Sequence, residues 1–123
     1  MTRNDTIASL AVNSWINRDH VIWPEADLID ADLTGANLIR ANLTGGDLRW
    51  AKLTGAKLTD ADLTDANLCF ANLTDADLTD ADLRFANLRW AKLTGATLTG
   101  ADLTGAKITL GNHTFPLTEE TAL

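Results

Sequence analysis

From Ala26 to Leu110 the chain is an unbroken run of seventeen five-residue units. The third place of each unit is Leu, from Leu28 to Leu103, and Ile108 closes the series. The first place is Ala, with Gly46 the exception. Apolar side chains therefore recur at alternating steps of two and three residues. A helix buries a stripe of period about 3.6 and a strand one of period 2. On a helix, five residues overshoot a full turn by about 140°, so the leucines would wander round the cylinder. On an unbroken strand an odd period sends successive leucines to opposite sides. A short extended piece with a corner in every unit solves the problem. Ala and Leu then point inward, the residue between them points out, and the fourth and fifth residues turn the chain. Gly, Asp and Thr prevail at those two places, which suits turn chemistry. A chain that turns a similar corner every five residues winds into a solenoid.

Units such as Ala31-Asp32-Leu33-Thr34-Gly35 and Ala71-Asn72-Leu73-Thr74-Asp75 resemble the A-(D/N)-L-x-x motif of the pentapeptide repeat protein family. The resemblance implies an all-β solenoid, a right-handed quadrilateral parallel β-helix with four units per coil. That means 20-residue coils, about four of them, and roughly 20 Å of solenoid at the spacing of neighbouring strands. Leu33, Leu53, Leu73 and Leu93 then stack in one interior column, with Ala31, Ala51, Ala71 and Ala91 beside it.

The repeat does not fill the chain, and a solenoid with bare ends would aggregate. Residues 1–20 predict an N-terminal α-helical cap, with Asn4 or Asp5 as N-cap and Ile7, Leu10, Ala11, Ser14 and Trp15 on one face. Residues 21–115 form the β-helix of a single domain, regular over 26–110. Val21 and Trp23 occupy the inward places of a degenerate first unit, and 111–115 keep phase with His113 in the leucine place. Residues 116–123 read as a C-terminal tail or cap.

Catalysis is not expected. The two histidines fall in the terminal regions, the chain has no Tyr, and no metal-ligand, nucleophile-elbow or phosphate-loop spacing is present. The reading therefore assigns no catalytic residue, no metal and no cofactor. A net charge of −7 disfavours direct nucleic-acid binding and attachment to anionic lipid. One cysteine, no apolar run long enough for a membrane span, and no secretory leader pattern predict a soluble cytoplasmic protein. Cys69 lies between Arg49 and Arg89 in its column. Those charges favour a thiolate, whereas a half-covered thiol would be inert, and the inert reading is preferred.

One edge breaks the monotony. On a 20-residue coil, Trp50, Phe70 and Trp90 share a corner column, and Arg49 and Arg89 lie beside it. The stretch from Leu48 to Ala56 recurs unchanged from Leu88 to Ala96, bringing Lys52 and Lys92 onto the next face, and Phe85 marks the corner before Trp90. One reading is self-stacking, with arginine stems laid over the rings. The other is a protein-binding edge, since Trp and Arg dominate interface energetics. Replacing Trp50 and Trp90 with Thr is expected to spare the fold and weaken such an interface. The opposite feature is an acidic belt of Asp60, Asp62, Asp65, Asp75, Asp77, Asp80 and Asp82, without Lys or Arg between Lys57 and Arg84. Some members of the family imitate duplex DNA and bind type II topoisomerases, so the resemblance carries that alternative. The expected role is a rigid, non-catalytic interaction or scaffold module for an unidentified protein partner, as a monomer or weak homodimer.

Overall fold

A computed structural model describes residues 21–110 and 113–117. The expected helical cap over 1–20 and the tail beyond Leu117 lie outside the described residues. Position-two residues twenty apart pair in parallel, from Ile22 with Asn42 through Asp82 with Asp102. The coil is therefore 20 residues long. A turn closes each five-residue unit from 21–25 to 101–105, so every coil has four corners.

The unit Ala71–Asp75 shows how five residues satisfy five backbone donors. Ala71 N–H donates to the Leu68 carbonyl across the preceding turn at 3.0 Å. Asn72 N–H reaches down one coil to the Ala51 carbonyl at 2.9 Å. Leu73 and Asp75 N–H reach up one coil, to the Lys92 and Thr94 carbonyls at 2.8 and 2.9 Å. The remaining donor, Thr74 N–H, is taken by the Asn72 side-chain oxygen at 3.1 Å. The outward Asp or Asn at place two is thus a backbone acceptor as well as a solvating group. Lys52, Lys57 and Lys92 carry no acceptor for that donor. They occupy this place at the expense of the local bond.

Every fifth residue from 25 to 105 has positive φ. It is the third residue of a four-residue turn closed by the Leu carbonyl and the next Ala N–H, the requirement of a type II turn. Gly and Asp prevail there for that reason, since both tolerate the left-handed region. Gly105 shows a second requirement. At φ +73°, a Cβ would lie 2.5 Å from Cδ1 of Phe85, one coil below, so the ring leans on bare backbone.

Inside, Leu28 through Leu88 are sealed from solvent and most alanines are fully covered, as the alternation of places one and three demands. Val21 is buried in the first inward place and Trp23 packs against the core in the second. Leu93 and Leu98, in the last full coil, are only partly buried.

The C-terminal end departs from expectation. Strand β1 (Asn87–Leu88) pairs in parallel with β2 (Ala106–Leu110), as coil pairs with coil. Strand β3 (His113–Leu117) then runs back antiparallel on β2, with Leu110 opposite His113 and Ala106 opposite Leu117. Residues 113–115 therefore do not continue the repeat, and His113 does not take a leucine place. Lys107 N–H donates downward to the Ala86 carbonyl. Pro116, paired with Lys107, therefore turns its missing N–H away from β2. A proline on that outer edge blocks the next strand.

Candidate functional site

The aromatic column assembles as expected. Trp50 and Phe70 stack with ring centroids 4.3 Å apart and planes 4° from parallel, and Phe70 and Trp90 follow at 6.3 Å and 12°. All three are corner residues with φ between 62° and 64°. An aromatic residue in the left-handed region costs about 1–2 kcal/mol over glycine, and a stacked pair contributes about 0.5–1.5 kcal/mol beyond its area. The two effects are of the same size, so backbone stability does not call for aromatics at this corner. Trp50 and Trp90 are 55% and 53% exposed and Phe70 42%, which leaves their edges to solvent. Phe85 stands apart. It occupies the adjacent corner, 59% exposed and seated over Gly105, outside the stack.

Of the flanking cations, Arg49 is turned toward its own unit. Arg49 forks onto Asp47 of its own unit, Nε to Oδ1 at 2.8 Å and a terminal nitrogen to Oδ2 at 2.7 Å. That side-chain bond holds the Asp47 carboxyl below its ordinary range. Arg84 forks onto Asp82 in the same manner, and it depresses Asp82 likewise. Burial pushes the Cys69 thiol up, against the opposing pull of Arg89 and Arg49. Burial thus outweighs the two arginines and disfavours a thiolate at Cys69.

The acidic belt is dispersed among backbone duties. Asp60, Asp65, Asp75 and Asp80 are left-handed corner residues with φ from 57° to 60°. Asp62, Asp77 and Asp82 each accept the N–H of the residue two places on, at 3.0 to 3.1 Å. Asp77 also accepts the Thr79 hydroxyl at 2.6 Å, the leading cause of its lowered pKa. Asp60 and Asp80 stand at the corner two turns from the aromatic one, diagonally across the coil.

Thr34, Thr54, Thr74 and Thr94 share a column as the coil length requires. Thr34 and Thr74 donate their hydroxyls to Asp32 and Asn72. No three His, Cys, Asp or Glu side chains among the described residues are placed to hold a metal ion. No helix there is long and apolar enough to cross a membrane.

These features define a pentapeptide solenoid with one decorated corner, and comparison with known proteins agrees. The family model for pentapeptide repeats matches in overlapping segments at residues 25–60, 47–84, 61–100 and 71–109. The chain belongs to the pentapeptide repeat family, whose solved members are right-handed β-helices. Among solved structures, a pentapeptide repeat protein from the Arabidopsis thaliana thylakoid lumen is 31% identical with a TM-score of 0.70, covering 75% of this chain and 66% of its own. A pentapeptide repeat protein from Nostoc PCC 7120 is 33% identical at TM-score 0.52, covering 89% and 82%. Trypsin-treated QnrB1, a plasmid-mediated fluoroquinolone resistance protein, is 28% identical at TM-score 0.66, covering 69% and 41%. The chain thus spans less than two thirds of the thylakoid protein and of QnrB1. No curated protein matches.

Proposed function

We propose that the chain is a rigid, non-catalytic interaction module of the cytoplasm that binds a protein partner through the corner formed by Trp50, Phe70 and Trp90. One observation carries this reading. Three large aromatic residues hold a strained left-handed conformation that Gly or Asp fills at most other corners, and they present their edges to water. Backbone strain at an exposed site is a pointer to function, and Trp is the residue most enriched at the energetic centres of interfaces. Lys52 and Lys92 on the next face, with Arg49 and Arg89 before the corner, form the polar rim. Phe85 belongs to the neighbouring corner and is left out of the site.

The test is a pull-down from cell lysate with wild-type protein and a Trp50→Gly, Trp90→Gly variant, with circular dichroism to verify the fold. Glycine is the proper replacement. Threonine is β-branched and would be strained at φ +63° to +64°. Partners held by wild type and lost by the variant support the reading, and an unchanged set of partners contradicts it. The DNA-mimic alternative draws on the likeness to QnrB1, but three carboxylates of the belt, those of Asp62, Asp77 and Asp82, accept backbone N–H groups of their own units. A supercoiling assay with a type II topoisomerase separates the two.

A further inference from the structure

The corner contains a natural control, because the nine residues from Leu48 to Ala56 recur from Leu88 to Ala96. The residue preceding each copy differs: Asp47 in the first and Asn87 in the second. Three arginines occupy place four in the described chain, Arg49, Arg84 and Arg89. Two of them follow an Asp at place two and fork onto it. Arg89 follows Asn87, whose oxygen serves only the Arg89 N–H at 3.2 Å, and a neutral amide cannot hold a guanidinium as a carboxylate does.

The same contrast holds on the other flank. Lys52 pairs in register with Asp32 one coil below, and its charge helps lower that carboxyl, after the stronger bonds from Thr34. Lys92 pairs in register with Asn72. One coil above, Lys107 stands in register with Asn87. Around Trp50 the arginine is therefore held by a carboxylate of its own unit, and the lysine has a carboxylate in register one coil below. Around Trp90, Arg89, Lys92 and Lys107 form no ion pair with any described carboxylate.

We infer that the Trp90 half of the corner is the recognition site, and that its partner is an acidic segment of a protein. It offers carboxylates to Arg89, Lys92 and Lys107 and an apolar or aromatic side chain to the edge of Trp90. This deepens the interaction reading above and rests on it. Charge complementarity selects the occupant. Three uncompensated cations beside an exposed indole suit a short acidic-hydrophobic peptide, whereas the net charge of −7 repels an extended polyanion such as nucleic acid. The Trp50 copy has the same residues, but Asp47 holds its arginine and Asp32 stands in register with its lysine.

Fluorescence anisotropy tests this with the full chain and a fluorescein-labelled octapeptide alternating Glu or Asp with Leu or Trp. A labelled octathymidylate serves as the competing class. The peptide is expected to bind, more weakly at high salt. Asn87→Asp keeps the backbone acceptor, as Asp47 does, but clamps Arg89, and is expected to weaken binding about tenfold, roughly the effect of one charge-assisted contact. Asp47→Asn is expected to open the lower copy and strengthen binding. Unchanged affinity in Asn87→Asp with loss in Trp90→Gly would overturn the acidic partner and keep the aromatic corner. Binding indifferent to both variants would overturn both readings, and no peptide binding would overturn the acidic partner alone. Preference for octathymidylate would overturn the acidic partner.

Discussion

At the residue scale, the repeat assigns each outward place a backbone task. Asn72 accepts both the N–H and the hydroxyl of Thr74, at 3.1 and 2.6 Å. Asn72→Ala is therefore expected to cost about 1 kcal/mol in chemical denaturation, and Asn72→Asp to cost little, because the acceptor is retained. The aspartates in the same role give stability a pH dependence of defined sign. Thr34, Thr79 and Thr104 lower the pKa of Asp32, Asp77 and Asp102, and Arg49 and Arg84 lower that of Asp47 and Asp82. A depressed folded pKa contributes stability that is present above the unfolded value, about 3.9, and is lost as pH falls through the folded value. Thermal melts should hold level from pH 7 to about 5 and decline below about 4. Glycine corners provide a third test. Gly55 has open space around its absent Cβ, whereas Gly105 meets the Phe85 ring. Gly105→Ala should destabilise more than Gly55→Ala, and Phe85→Gly should remove the excess.

At the element scale, stability comes from sealed leucine columns joined by ladders of inter-coil hydrogen bonds. Leu73 is fully buried in the middle of its column, so Leu73→Ala should cost about 2–5 kcal/mol. Trp90→Gly should cost less than Leu73→Ala, since relief of backbone strain offsets part of the lost stacking. This part of the molecule was largely legible in the sequence. Spacing alone required inward Ala and Leu with a corner per unit, and the family resemblance supplied the coil length that brought Trp50, Phe70 and Trp90 into one column. Periodicity reports which way a residue faces, not its φ or which atom takes its N–H. The left-handed corners and the acceptor role of place two were therefore missed, although the Gly/Asp and Asp/Asn preferences at those places carried the signal. The hairpin of β2 and β3 was missed for another reason. Residues 111–115 continue the five-residue register by count, but His113 and Phe115 do not restore its chemistry.

At the scale of the whole molecule, the coil separates two characters at opposite corners. Asp60 and Asp80 lie across from Phe70 and its two tryptophans. The two copies of one nonapeptide differ in charge only because of what surrounds them, and that difference could not be seen before the coil length placed Asp32 beside Lys52 and Asn72 beside Lys92. The Pro116 edge argues for a chain that does not extend its sheet into a neighbour. Sedimentation velocity should accordingly give a monomer at micromolar concentration for wild type and, at most, weak association for Pro116→Val. On this reading the Trp90 half of the corner meets a partner and the rest of the surface serves the fold. The most direct test is a proton–nitrogen correlation spectrum of the labelled full chain, titrated with the acidic octapeptide. Trp15, Trp23, Trp50 and Trp90 each contribute one indole N–H signal. The Trp90 indole and the amides around Arg89 and Lys92 should shift first, with Trp50 following only weakly. Equal movement of Trp50 and Trp90, or shifts confined to the Asp60–Asp80 corner, would contradict it.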